Sequence, residues 1–176
     1  SGWQTVARAI GRQLAGRATV VKRLEEHPNL SAVLANDGRE RDALDNNQRG
    51  LAAARELGIE RAMGSYLAAD LALNLYYLGD WPESERVIAQ ALEREATAAP
   101  RLYCFRALLA VGRGDFESAR KDLALAKQLS PGLYEQVGTL PGLAELAIWE
   151  HHYDAARAAV DEGLGVLAEL GTDHEQ

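Results

Sequence analysis

A short motif recurs along the chain at nearly constant spacing. Gly79-Asp80-Trp81-Pro82-Glu83-Ser84 is matched by Gly114-Asp115-Phe116-Glu117-Ser118-Ala119, and more weakly by His151-His152-Tyr153-Asp154-Ala155-Ala156. Each copy places a turn residue, an aromatic residue and a small residue in the same order, at steps of 35 and 37 residues. Such a period, in the range of about 34–47 residues, is typical of helical-hairpin arrays. The motif therefore predicts an all-α repeat fold.

Each position of the motif has a physical role in a hairpin. Glycine ends the first helix, because it adopts the left-handed conformation at little cost. The following aspartate caps the second helix by accepting hydrogen bonds from its first amides. The aromatic residue would fill the base of the hairpin, and the small residue would let the two helices approach closely. The residues predicted to make this packing are Trp81, Ser84, Phe116, Ala119, Tyr153 and Ala156.

Extending the register divides the chain into units. A degenerate earlier copy has its turn at Gly38, so the turn residues fall at positions 38, 79, 114 and 151. The predicted repeat region covers residues 29–171, and residues 1–28 hold an N-terminal helix (3–24) that would cap the array. The predicted units are 29–60, 61–97, 100–131 and 138–170. The predicted helices within them are 29–36, 40–57, 61–78, 82–97, 101–112, 116–129, 140–150 and 154–170, with a short helical turn at 132–137.

Two resemblances are carried by these residues. Residues 101–131 combine the aromatic-x-x-Ala turn, a small residue seven positions later and a closing Pro131, and they resemble the tetratricopeptide repeat. This resemblance implies a right-handed superhelix of antiparallel hairpins, with about four repeats plus the N-terminal helix. The run from Gly50 to Gly58, continuing to Trp81, resembles the repeat region of large bacterial LuxR-type regulators with an ATP-binding domain before the repeats and a DNA-binding domain after them. It implies a regulatory or scaffolding part of a larger transcriptional regulator.

Charge and composition argue against several classes of function. The net charge of −7 repels phosphate backbones, and no basic stripe is present, so we expect no direct nucleic-acid binding. The sequence lacks the G-x-x-x-x-G-K-[ST] loop that cradles ATP. No apolar run approaches the ~20 residues of a membrane span. The single Cys104 cannot form an internal disulfide, which fits a cytoplasmic protein.

Few residues have the spacing that catalysis or metal binding requires. His151 and His152 are adjacent and have no His or Cys three or four positions away, so a structural or solvent-facing role is expected. No histidine lies at a recognisable motif spacing from Cys104, which is therefore expected to be a small buried residue. Arg106 is expected to form a buried ion pair, with Asp70 and acidic residues of neighbouring helices as partners. The sequence thus predicts no enzyme activity, no cofactor and no metal site.

In tetratricopeptide arrays the first helix of each hairpin lines a concave groove, so the resemblance also implies a binding face. A protein, a peptide or another domain of a parent protein would bind there. Tyr76 and Tyr77 straddle their helix, and hairpin packing is the favoured role for either of them, with the groove as the alternative. The alternative is an effector-sensing domain with a closed apolar cavity around four of the groove residues, Tyr66, Leu73, Leu108 and Trp149. Self-association is a third hypothesis, because an array can leave an apolar end uncovered. The predicted groove residues are Tyr66, Leu73, Tyr76, Arg101, Leu108, Glu145 and Trp149.

Overall fold

In the described part of the chain, all regular secondary structure is helical, and the predicted all-α class is confirmed. The computed structural model describes residues 30–31, 33–35, 37–56, 58, 64–94, 98–130, 132 and 138–172, with side chains as far as residue 169. The predicted helix at 3–24 and most of the turn at 132–137 lie outside these residues. Residues 30, 31 and 33–35 are helical. They precede α1 (Glu40–Glu56), α2 (Ser65–Tyr77), α3 (Trp81–Leu92), α4 (Ala99–Gly112), α5 (Phe116–Leu129), α6 (Leu140–Trp149) and α7 (Tyr153–Thr172).

Helix boundaries fall close to those expected from the sequence, with differences at α2, α3 and α4. The α2 helix begins at Ser65 instead of residue 61, and residues 61–63 lie outside the described part of the chain. The α5 helix spans the whole of the predicted 116–129 segment, and α1 and α6 match their predicted bounds within one residue. The α4 helix begins two residues early, at Ala99, because Pro100 sits in its first turn, where the missing amide hydrogen costs nothing. The α3 helix ends at Leu92 instead of residue 97, and Glu93 and Arg94 form a turn.

The four turns at positions 38, 79, 114 and 151 share one hydrogen-bond pattern. In each, the turn residue donates its amide to the carbonyl three residues back, and the next residue donates to the carbonyl five residues back. This pair of hydrogen bonds is the Schellman motif, which requires a left-handed residue at the turn. Gly79 and Gly114 supply it with φ of 81° and 77°. His151 adopts φ 61° in the same place, a conformation that costs a non-glycine residue about 1–2 kcal/mol.

The second helix of each interior hairpin is capped as its sequence predicts. The Asp80 carboxylate accepts the amide of Glu83 at 3.3 Å, and the Asp115 carboxylate accepts the amide of Ser118 at 3.1 Å. These bonds satisfy amides that have no partner within the helix. The Ser118 hydrogen bonds and the positive charge of Lys121 lower the pKa of Asp115, so it is a carboxylate at neutral pH.

The helices pack in sequential pairs that also contact their neighbours. Helix α2 packs with α3, α4 with α5, and α6 with α7. Each first helix contacts the next one (α2 with α4, α4 with α6), and each second helix contacts the following first helix (α1 with α2, α3 with α4, α5 with α6). Two buried clusters run through these contacts, one from α1 to α4 and the other from α4 to α6. The core is therefore built by stacking hairpins.

Small residues lie where the two helices of a hairpin meet. Ser84 and Ala119 are fully buried, and Ala156 is buried as well. The Ser84 hydroxyl donates to the carbonyl of Ala72 at 2.8 Å, which joins α3 to α2 directly. A larger side chain at these positions would have to push the helices apart.

We expect Ala119→Leu to destabilise the protein by about 1–3 kcal/mol, because three additional heavy atoms must enter a filled helix contact. The matched control is Ala124→Leu, on an exposed position of the same helix, which should change stability by less than about 0.5 kcal/mol. Urea unfolding followed by circular dichroism measures both. Equal stability of the two variants would contradict the register of the α4–α5 contact.

The three turn aromatics differ in burial, and the prediction for Tyr153 is wrong. Trp81 is half-buried, stacks on Tyr76 with ring centroids 5.8 Å apart, and lies against Gly112 of the next hairpin. Phe116 packs on the second cluster. The Tyr153 side chain is 61% exposed, and its hydroxyl lies 3.0 Å from Nδ1 of His151. The physical reason is that, within the described residues, no first helix follows α7 to cover Tyr153.

Candidate binding face

Equivalent positions of α2, α4 and α6 lie side by side, because α2 contacts α4 and α4 contacts α6. Counted from the shared turn position, Leu73, Leu108 and Glu145 stand at one level, and Tyr77 and Trp149 stand one helical turn nearer the hairpin turn. Tyr66 and Arg101 stand two turns farther back. We call this surface the first-helix face, defined by Tyr66, Leu73, Tyr77, Arg101, Phe105, Leu108, Glu145 and Trp149.

The first-helix face combines exposed aromatic residues with half-buried leucines. The side chains of Tyr66, Tyr77 and Trp149 are exposed, whereas Leu73 and Leu108 are half-buried between them. Most other residues of α2 are buried, which restricts the exposed part of that helix to this side. Aromatic side chains with a polar edge are the residue type that most often carries binding energy at protein interfaces.

Arg101 crosses from one hairpin to the next on this face. Its guanidinium nitrogen lies 2.7 Å from a carboxylate oxygen of Asp70, and its Cζ lies 5.7 Å from the centre of the Phe105 ring. Burial raises the pKa of Asp70, and the positive charge of Arg101 opposes that shift. A guanidinium has five N–H donors, and the Arg101 side chain is exposed, so it can bind a further acceptor.

Tyr76 lies at the edge of the face and takes part mainly in packing. It is half-buried, stacks on Trp81, and meets Tyr77 edge-on with centroids 5.4 Å apart. Burial, followed by the nearby negative charge of Glu145, raises the pKa of Tyr76. Tyr76 therefore contributes mainly to the packing of its own hairpin.

Sequence reasoning missed one residue of this face, Phe105, and for Tyr77 it favoured hairpin packing over the groove. Tyr77 stands two positions before its turn residue, as Trp149 does, so the repeat register contained the signal for it. Phe105 stands one helical turn from both Arg101 and Leu108 on α4. Helical periodicity alone would have placed it on the same side.

Arg106 pairs with an acidic residue of a neighbouring helix and not with Asp70. Its guanidinium makes two hydrogen bonds to the Asp122 carboxylate on α5, at 2.7 and 2.5 Å, and its Cζ lies 5.0 Å from the Tyr103 ring centre. Asp70 pairs with Arg101 instead. Arg106 stands five residues after Arg101, so it points toward α5 and not toward α2. The pair joins the two helices of one hairpin, which is a structural role.

The histidines and the cysteine do not converge. The His152 side chain is exposed and lies 3.8 Å from the Glu150 carboxylate, whereas His151 contacts Tyr153. Among the described residues, no three His, Cys, Asp or Glu side chains are grouped as metal ligands. Cys104 is buried, and that burial is the main cause that raises the pKa of its thiol to about 11.

We expect the Cys104 thiol to react with a disulfide reagent at pH 8 at least about 100-fold more slowly in the native protein than in urea-unfolded protein. Only the thiolate is nucleophilic. The raised pKa lowers the fraction of Cys104 present as thiolate, and burial keeps the reagent from reaching it. Absorbance of the released thiol group measures the rate. Rapid stoichiometric reaction of the folded protein would contradict the placement of Cys104 in the core.

Two clefts in the described part of the chain lie away from the first-helix face. The larger encloses about 740 Å³ between α1, α2 and α3. The smaller lies by the turn at Gly38. Neither is lined by Tyr66, Leu73, Leu108 or Trp149, the residues of the hypothesised effector cavity. Representative residues of the larger cleft are Leu51, Arg55, Ser65, Arg86, Val87 and Arg94.

Comparisons with known proteins support the helical fold. No protein-family model matches the sequence, and no curated protein matches it. The crystal structure of BtubC (BKLC) from P. vanneervenii superimposes with a TM-score of 0.58 and 16% sequence identity, over 84% of this chain. The chain spans 64% of the length of BtubC. In the part of the chain that the structure describes, no helix has both the length and the apolar composition to cross a membrane.

Proposed function

We propose that this chain is a non-catalytic repeat module that binds an extended protein segment or peptide along the first-helix face. The observation that carries the proposal is the row of exposed Tyr66, Tyr77 and Trp149, with Leu73 and Leu108 between them, on three helices in contact. A row of this kind presents apolar contacts at intervals along an extended ligand. It lacks the enclosure that a small molecule needs.

Two residues of opposite charge stand at different levels of the first-helix face. Arg101 stands at the level of Tyr66, and Glu145 stands at the level of Leu108. Arg101 can donate to a ligand carboxylate or backbone carbonyl, and Glu145 can accept from an amine or an amide. A bound peptide would therefore prefer an acidic group near Arg101 and a donor near Glu145.

The arrangement of the hairpins that we propose is a right-handed superhelix of the tetratricopeptide type. Support comes from the identical turn geometry at four positions and from the repeated contacts between neighbouring hairpins. Identical steps applied in succession generate a superhelix with a continuous inner surface. On the resemblance of residues 50–81, we further propose that the module belongs to a larger bacterial LuxR-type transcriptional regulator, where other domains or proteins would bind it.

A library of random 12-residue peptides displayed on phage tests the proposal, followed by calorimetric titration of the selected peptides. Tyr66→Ala and Trp149→Ala should each weaken binding by roughly 10- to 30-fold, as expected for aromatic anchors of an interface. The matched control is Tyr153→Ala, an exposed aromatic residue outside the face, which should bind as the unmodified protein does.

Three outcomes would count against this function. Failure to select any peptide, or equal binding by all three variants, would remove the first-helix face as the binding surface. Native mass spectrometry of the freshly purified protein supplies the third outcome. A small molecule retained at one per chain would favour the effector-sensing alternative.

A further inference from the structure

The last described helix exposes a position that the preceding hairpins bury. Ile88, Leu123 and Val160 each stand nine residues after their turn residue. Ile88 and Leu123 are 0% and 1% exposed, whereas Val160 is 52% exposed. Asn47 stands at the same position of the first hairpin and is also fully buried. All four residues lie on second helices. A following hairpin packs on the helices that carry Asn47, Ile88 and Leu123, whereas within the described residues none packs on α7.

The partner that buries this position comes from the next hairpin, five residues before its turn residue. Asn47 donates to Asn74 at 2.8 Å. Ile88 shares its buried cluster with Leu109. Leu123 shares the next cluster with Leu146 of α6. The Leu123 side chain also lies over Gly142, which is on α6 as well. At three successive interfaces the same two register positions thus lie together, joined by a hydrogen bond at the first and within one buried apolar cluster at each of the next two.

The first described helix exposes the complementary position. Val33 stands five residues before Gly38, where Asn74, Leu109 and Leu146 stand relative to their own turns. The three later residues are buried, whereas Val33 is 64% exposed. Within the described residues, the array therefore exposes this first-helix position at one end and the matching second-helix position at the other.

A second register pair carries charge. Glu85 forms an ion pair with Arg113, and Arg120 forms one with Glu150. In both pairs, the first residue stands six positions after its turn residue and the second stands one position before the next turn residue. The same positions at the two ends of the array are Arg157 on α7 and Asp37 before Gly38, both exposed and of opposite charge.

These end positions belong to two surfaces. The tail face consists of Tyr153, Arg157, Val160, Leu164 and Leu167, whose spacing places them on one side of α7. Its four uncharged residues are all among the exposed large hydrophobic side chains. The head face consists of Leu30, Val33 and Asp37, which are exposed as well.

We propose that the tail face of one molecule binds the head face of a second copy of this chain, continuing the hairpin-to-hairpin interface from one molecule to the next. Val160 would meet Val33 of the second copy, as Ile88 meets the Leu109 cluster, and Arg157 would pair with its Asp37. The occupant is a second copy because both register pairs are complementary, one in apolarity and the other in charge. Contact between unlike faces leaves one face open at each end, so association continues beyond a dimer.

Sedimentation velocity of the full chain over about 1–500 μM tests this proposal. The weight-average mass should rise with concentration from the 19.1 kDa monomer past the dimer. Val33→Glu and Val160→Glu should each remain monomeric, because each loses one face. A 1:1 mixture of the two should form a dimer and nothing larger, since only one intact tail and one intact head remain. The matched control, Ala158→Glu on the opposite side of α7, should associate as the unmodified chain does.

The ionic pair gives a second, independent readout. Arg157→Glu should weaken association about 10-fold at low salt, and Asp37→Arg in the same chain should restore it. Because all these positions are exposed, circular dichroism should show unchanged helix content and melting. If the unmodified chain stays monomeric over the whole concentration range, for whatever reason, the proposal is wrong. Association that stops at a dimer and is unchanged by Val33→Glu would instead indicate a symmetric contact between two α7 helices.

Discussion

Replacing Leu123 by alanine should lower the free energy of unfolding by about 2–5 kcal/mol. Leu123 is almost completely buried in the cluster formed by α4, α5 and α6, and its side chain lies directly over Gly142. Glycine at that position leaves the space that the leucine occupies, since an added Cβ would stand 2.8 Å from a Leu123 methyl carbon. Truncation would open a cavity between two hairpins that rigid helices cannot close.

Urea unfolding monitored by circular dichroism measures this effect, and Leu129→Ala is the matched control. Leu129 is the last residue of the same helix and is exposed, so its truncation should cost less than about 1 kcal/mol. The Leu123→Ala transition should also broaden or split, because the last described hairpin loses a buried contact with the array. If the two variants unfold at the same urea concentration, Leu123 does not join the hairpins as described.

The hairpin turns could be predicted from the sequence because their determinants are local. A glycine in the left-handed region, an aspartate cap and a small residue at the helix contact act within about six residues of one another. The same reasoning placed His151 in the position of a turn glycine, and its backbone adopts the left-handed conformation there. Local chemistry therefore determined both the repeat register and most helix boundaries.

Burial at the end of the array could not be predicted in this way. Tyr153 stands at the same motif position as Trp81 and Phe116, yet it is exposed. Trp81 is covered by Gly112, which stands 31 residues later on the next hairpin. Whether a repeat position is buried thus depends on the presence of a neighbour, and the motif itself carries no information about that neighbour.

Partner choice among charged residues was also beyond sequence reasoning. Arg101 and Arg106 are both on α4, and acidic residues on two adjoining helices were available to them. The five-residue spacing directs one guanidinium to α2 and the other to α5. That assignment is possible only when the rotation of α4 about its axis is known. The groove residues Leu73, Leu108 and Glu145 were easier to place, because the shared turn position fixes their level on each helix.

A buried polar network joins the first two hairpins, and its central residue is Asn47. The Asn47 side-chain oxygen accepts from the Ser31 hydroxyl at 2.7 Å, and its amide nitrogen donates to the Asn74 oxygen at 2.8 Å. Asn46 donates to the same hydroxyl at 2.7 Å. Ser31, Asn47 and Asn74 are all buried. Asparagine thus occupies the two register positions that are leucine or isoleucine in the following interfaces.

We expect Asn47→Ala to destabilise the protein by about 2–4 kcal/mol. The Asn74 oxygen would be left buried without the Asn47 donor, which costs about 1–3 kcal/mol, and the lost packing adds to that cost. The control is Asn46→Ala. Asn46 is only half-buried, and the hydroxyl that it contacts keeps the Asn47 oxygen as an acceptor, so we expect about 0.5–1.5 kcal/mol. Chemical unfolding of both variants gives the comparison.

The double variant Asn47→Leu/Asn74→Leu separates the hydrogen bond from the shape of the contact. It recreates at the first interface the apolar pairing seen between Ile88 and the Leu109 cluster. Replacing both partners removes the unsatisfied amide groups, and the Ser31 hydroxyl keeps Asn46 as a donor and the Ala43 carbonyl, 3.4 Å away, as an acceptor. The double variant should therefore be more stable than Asn47→Ala. A double variant whose change in stability equals the sum of the two single changes would show that the two positions act independently and do not face each other. Recovery of stability would instead show that an apolar pair can replace the amides at this interface, and would favour a role of the amides in specifying the pairing of the first two hairpins.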